Sequence, residues 1–101
     1  MTYRIRRSPA ARADLLSIWL ARAEYDEGAA NRLLDTLQQT LDLIAEYPKI
    51  GPSRDDLAQG VRLSLCSPYL IAYCIDEDAA AIDIVRVVDG RRDLAALLGS
   101  E

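Results

Sequence analysis

Hydrophobic and polar positions along this chain follow two periods, and the change falls near residue 60. Residues 2–7, TYRIRR, set Tyr3 and Ile5 against Arg4 and Arg6, the two-residue repeat of a short strand. Ser8-Pro9 then gives a helix start, with serine as N-cap and proline at the first helical position. Ala11, Leu15, Ile18 and Arg22 fall on one face, with Asp14 near the positive end of the helix dipole, so the spacing predicts a helix over 9–24. Trp19 is expected to pack against the neighbouring helix. Asp26 is a second N-cap, and Ala30, Leu33, Leu34, Leu37, Leu41 and Ile44 predict a helix over 27–46 that stops at Tyr47-Pro48. The short link between the two predicts an antiparallel hairpin.

The segment PKIGPSRDDLAQG reads as a loop, with Asp55-Asp56 a solvated turn. Three strands follow at 61–66, 69–75 and 81–88, joined by turns at Ser67-Pro68 and at DEDAA. A two-residue turn at Ser67-Pro68 sets residue 66 opposite 69 and residue 61 opposite 74. One face then holds Val61, Leu63, Leu65, Leu70, Ala72 and Cys74, expected to lie under the helix hairpin with Val85 and Val87. The other holds Arg62, Ser64, Cys66, Tyr69, Ile71 and Tyr73, joined by Ile84, Arg86 and Val88. That second face mixes large apolar groups with two arginines, which suits a covered surface. The expected cover is a partner protein, and the alternative is the short helical segment 91–98 folding back. The fold class expected is α+β: an N-terminal strand, an antiparallel helix hairpin, a three-stranded antiparallel meander and a short C-terminal helix, forming one domain over 1–101.

Composition narrows the chemistry. The chain has 101 residues, no histidine, two cysteines and a net charge of −4. Without histidine, Ser-His and Cys-His nucleophilic chemistry is excluded. Cys66 and Cys74 form no CxxC pattern and fall on opposite faces, which disfavours both a zinc site and a disulfide. No metal, cofactor or catalytic residue is expected. No apolar run is long enough to span a bilayer, and the N-terminus lacks the apolar stretch of a secretory signal, so a cytoplasmic location is expected. The overall negative sign argues against direct nucleic-acid binding by this chain. Charge is nevertheless uneven, and all but one of the twelve basic residues are arginines, whose planar fork suits carboxylate or phosphate.

Several short runs together resemble the ParE/RelE superfamily of bacterial toxins, and more closely its ParE branch. They are Ser8-Pro9 with Ala13-Asp14-Leu15 and Ile18, Tyr47-Pro48 with Ile50-Gly51, Gly60-Val61-Arg62, Tyr69-Leu70-Ile71-Ala72-Tyr73, and Ile84-Val85-Arg86-Val87-Val88 followed by Gly90-Arg91-Arg92-Asp93. ParE-like sequences often carry histidine before the Gly-Arg-Arg-Asp run, where this chain has Asp89. The resemblance implies a toxin of a type II toxin–antitoxin system that poisons DNA gyrase without being an enzyme. It implies a hetero-oligomeric complex with a cognate antitoxin, ParD-like with a ribbon-helix-helix domain. On this basis the antitoxin-binding residues expected are Arg62, Tyr69, Ile71, Tyr73, Ile84 and Arg86, and the target-binding ones Arg86, Arg91 and Arg92. Two alternatives remain. One is a RelE-like ribosome-dependent messenger RNA endonuclease, in which Arg62 and Arg86 occupy the positions of catalytic arginines, although DLAALLGSE supplies no tyrosine or histidine as a proton carrier. The other is an inactive binder that assists repression of its own operon. A further expectation for Arg91-Arg92-Asp93 is a structural ion pair at the turn into the last helix.

Overall fold

A computed structural model of the chain describes residues 2–98; residue 1 and residues 99–101 of the expected domain lie outside the described residues. The elements are β1 (Arg4–Arg7), α1 (Pro9–Ala23), α2 (Glu27–Glu46), β2 (Arg62–Cys66), β3 (Tyr69–Asp76), β4 (Ala81–Asp89) and α3 (Leu94–Leu97). The predicted helix ends hold to within a residue. Ser8 Oγ accepts from Ala11 N–H and Asp26 Oδ1 from Ala29 N–H, so each N-cap satisfies a donor that the first helical turn leaves open. The strands form one sheet in the order β1-β4-β3-β2. The meander β2-β3-β4 is antiparallel, with Arg62 opposite Tyr73 and Cys66 opposite Tyr69 as the two-residue turn requires. β1 joins it parallel to β4, with Arg4 opposite Ala81 and Arg7 opposite Ile84.

The hairpin covers the face that sequence parity assigned to a partner. Cys66, Ile71, Tyr73, Ile82, Ile84 and Val87 pack beneath it with Ala11, Leu37, Leu41 and Ile44, and Tyr69 lies at the margin of this core. Val61, Leu63 and Ala72, expected under the helices, instead form a smaller cluster on the opposite face with Leu57. Leu70, Cys74 and Val85 border that cluster, and Leu94 and Leu98 of the C-terminal segment close over it. Alternation fixes which residues share a face, but both faces here are apolar, so it leaves open which of them the helices take. Side-chain size accounts for the outcome. Ile71, Tyr73, Ile82 and Ile84 are fully buried, a bulk that suits two long helices. The opposite face centres on Val61 and Ala72, and a loop with one helical turn covers it.

β4 also departs from simple alternation. Ala72 faces Arg86 while Tyr73 faces Ile84, so Val85 is an extra residue at a β-bulge. The bulge places Ile84 on the hairpin side, sends Val85 to the opposite cluster and separates Arg86 from Ile84, which parity had put together. The two cysteines lie on opposite faces as expected, and both are free.

Candidate partner-binding surface

Two strand arginines expected to face a partner are engaged within the fold. Arg62 donates through Nη1 to the Gly51 carbonyl at 2.7 Å and, more weakly, to the Lys49 carbonyl at 3.4 Å. Tyr73 completes the same anchor: its hydroxyl donates to the Pro48 carbonyl at 2.7 Å and accepts from Gly51 N–H at 2.9 Å. The chain leaving α2 is thereby tied to the middle of the sheet. Gly51 sits against the Leu63 carbonyl, and a Cβ here would also meet the Tyr73 hydroxyl at 2.9 Å, so the Tyr-Pro-x-x-Gly run needs glycine for close approach. Tyr73, Ile71 and Ile84 have no exposed surface. They are core residues, and the surface role expected for them is corrected accordingly.

Arg86 is held by Asp14. Nε and Nη2 donate to the two carboxylate oxygens at 2.7 and 2.8 Å, and Val87 N–H donates to Oδ2 at 2.9 Å. β1 has ended at this point, so Asp14 reaches from α1 to the exposed edge of β4 and satisfies both groups. These bonds hold the Arg86 guanidinium above its usual pKa against the opposing effect of burial. The sequence position of Asp14 suggests only a partner for the helix dipole. Its role in the fold is a long-range tie, which no local pattern discloses.

Arg91 and Arg92 behave differently. Arg91 is 90% exposed. Its Nε and Nη2 donate to the Asp89 carboxylate at 3.0 and 2.8 Å, and its own N–H to Asp89 Oδ1 at 2.9 Å. Those bonds, with the nearby charge of Arg92, lower the Asp89 carboxyl to about 2. The expected turn ion pair therefore exists, but its acid is Asp89, at the position where a histidine is frequent. Asp93 instead caps α3, accepting from Ala96 N–H. Arg92 is exposed, and among the described residues its guanidinium makes no hydrogen bond. It lies at a cleft of about 280 Å³ between α1 and β4.

A second open surface runs along the hairpin. Leu15, Leu16 and Trp19 of α1 and Leu34, Leu37 and Leu41 of α2 line a groove of about 360 Å³, with Arg7 and Gln38 at its edge. Trp19 packs against α2 as expected, donating from its indole N–H to Asn31 Oδ1 at 2.9 Å. Leu16 and Leu20 are 59% and 51% exposed. They sit one helical turn apart beside the core stripe, a spacing that is visible in the sequence. Among the described residues no helix is long and apolar enough to cross a membrane.

Comparison with known proteins places this geometry. The family described as "ParE toxin of type II toxin-antitoxin system, parDE" matches residues 5–94. Toxin ParE1 of Mycobacterium tuberculosis is 33% identical over 97 residues, covering 93% of this chain and 96% of that protein. Toxin ParE3 of Caulobacter vibrioides is 29% identical over 72 residues, covering 71% of this chain and 70% of that protein. Two solved structures share the fold: the chromosomal ParDE system of P. aeruginosa, with TM-score 0.72, 18% identity and coverage of 87% and 96% of the two chains, and the RelBE2 toxin–antitoxin complex of Mycobacterium tuberculosis, with TM-score 0.61, 22% identity and coverage of 88% and 99%. With the family matched from β1 to the start of α3, this chain belongs to the ParE toxins of type II toxin–antitoxin systems.

Proposed function

We propose that this toxin acts in the cytoplasm as a non-enzymatic inhibitor of DNA gyrase, through a surface centred on Arg91 and Arg92, and is neutralised by a cognate antitoxin. The observation that carries the reading is the division among the arginines. Cleaving a ribose phosphate requires cations free to meet the phosphate and a group that moves protons. Arg62 and Arg86, at the positions of RelE-like catalytic arginines, are bonded to loop carbonyls and to Asp14. The chain holds no histidine. Inhibition by binding needs neither requirement, and Arg91 with Arg92 offers an exposed cationic surface for an acidic protein region. The chain itself is acidic overall and binds no DNA directly in this reading.

The antitoxin is expected to be a ribbon-helix-helix, ParD-like protein in a hetero-oligomeric complex. An apolar groove between two helices suits an amphipathic helix, and Arg7 at its edge favours an acid on that helix. Purified chain added to gyrase with relaxed plasmid tests the activity, with translating ribosomes as the parallel arm. Loss of supercoiling or accumulation of cleaved DNA is expected, with messenger RNA intact. Cut message with gyrase unaffected establishes the endonuclease reading instead.

A further inference from the structure

Asp89 ends β4 opposite Tyr69, and the tip is built on it. Gly90 N–H donates to the Pro68 carbonyl at 2.9 Å and Arg92 N–H to the Asp89 carbonyl at 3.0 Å, so the turn is bonded to the β2-β3 corner and closed on Asp89. The Asp89 side chain reaches forward to Arg91 with both carboxylate oxygens. Oδ1 accepts from Arg91 N–H and from Nε, and Oδ2 accepts from Nη2. The Asp89 side chain is 26% exposed and the Arg91 side chain it holds 90% exposed. A group fixed to the strand end thus grips one that stands in solvent.

The choice of donors decides which side of Arg91 is left. A guanidinium carries five N–H donors in a planar fork. Asp89 takes the edge formed by Nε and Nη2. The end formed by Nη1 and Nη2 points away from it, and Nη1 has no partner among the described residues. That end matches a second planar carboxylate through two parallel bonds. Formal charge alone does not select such a target. Residues 89–93 hold two arginines and two aspartates, and the whole chain carries −4. An acidic target therefore gains by direct contact with oriented donors and not by long-range attraction. An arginine free in water loses rotamer freedom on binding, and an acid that fixes it beforehand removes part of that cost.

We propose that Asp89 is a positioning residue of the target-binding surface: it holds the Arg91 guanidinium so that the Nη1–Nη2 end receives a carboxylate of the target protein. The inference rests on the reading of Arg91 and Arg92 as the gyrase-binding surface, and deepens it by naming the group that Arg91 meets and the residue that aims it. Its consequence runs against simple electrostatics. Removing an acid from beside two arginines strengthens attraction to an acidic partner, whereas removing a positioning acid weakens binding.

The test exploits that difference in sign. Asp89→Asn keeps an oxygen for the Arg91 N–H, and so the turn, but loses the charge and the second acceptor oxygen. Affinity for purified gyrase without DNA is measured for the full wild-type chain, Asp89→Asn, Arg91→Ala and the double variant, each confirmed folded by circular dichroism, with inhibition of supercoiling measured in parallel. Asp89→Asn is expected to weaken binding about threefold or more when Arg91 is present and not to weaken it when Arg91 is alanine. By NMR of the free chain, the Arg91 Nε–H should exchange with water more slowly in the wild type than in Asp89→Asn. Equal or tighter binding of Asp89→Asn, a weakening of the same size in the Arg91→Ala background, or equal Nε–H exchange overturns the proposal and leaves the gyrase reading standing. Inhibition of supercoiling by a chain that does not bind gyrase without DNA does the same, because Arg91 then meets no carboxylate of the protein alone. If the wild type neither binds nor inhibits gyrase, both are overturned.

Discussion

Arg86 and Arg91 each donate Nε and Nη2 to an aspartate at nearly equal distances, yet their surroundings give the two pairs different consequences. Arg86 is 21% exposed and its partner Asp14 14% exposed, and the pair joins α1 to β4 across most of the chain. Arg91 is 90% exposed and bonds to Asp89 two residues away. Shielding from water strengthens the first pair and makes its loss costly, because a stranded partner keeps its desolvation penalty. Solvent screens the second, which orders a turn and contributes little to global stability. Bond length alone does not distinguish a tie that holds the fold from one that presents a side chain. Burial and sequence separation do.

The interior side of this contrast should break most severely at Tyr73. Tyr73→Ala removes a fully buried ring and the hydroxyl that fastens the loop after α2, and is expected to cost about 4 kcal/mol in denaturant titration. A cost below about 1 kcal/mol would show that the loop is held some other way. Asp14→Ala strands the Arg86 guanidinium and the Val87 N–H together, with an expected cost of about 3 kcal/mol. The paired change Asp14→Ala with Arg86→Met sharpens the point. It should recover part of that loss, since no buried charge is left unpaired.

At the tip the expected effects on stability are small. Arg91→Ala with Arg92→Ala should change stability by no more than about 0.5 kcal/mol. Acid titration is the finest probe. Asp89 has a folded pKa lowered to about 2, below its unfolded value, so its contribution is present above the unfolded pKa and is lost as pH falls toward the folded one. Asp76 and Asp56 are also lowered, by hydrogen bonds from Ala79 N–H and Arg6 in the first case and chiefly from Arg54 in the second. From these three groups stability should therefore be flat from about pH 5 to neutrality and decline between about pH 4 and 2. Asp89→Asn should shallow that decline.

Helix limits, the 66–69 turn register and the meander were legible because each depends on neighbours in sequence: a cap, a proline, a two-residue repeat. The exchange of the sheet faces was not, because Ile71 and Ala72 both sit in an unbroken apolar run and only the packed volumes separate them. Nor was the setting of Arg86. The bulge at Val85 shifts its parity, and its partner Asp14 lies 72 residues away. The motif Gly90-Arg91-Arg92-Asp93 pointed correctly to a charged turn but not to Asp89 as the acid. The clefts beside α1 were not legible, because a groove arises between elements, while periodicity describes one element at a time.

In the proposed function the tip arginines carry activity while Arg62 and Arg86 maintain the fold. The most direct measurement is the concentration of purified, antitoxin-free chain needed to halve gyrase supercoiling, compared between the wild type and Arg91→Ala with Arg92→Ala. The folded double variant is expected to need at least about tenfold more protein, as when charged contacts at an interface are removed. Equal inhibition by the two proteins would contradict it.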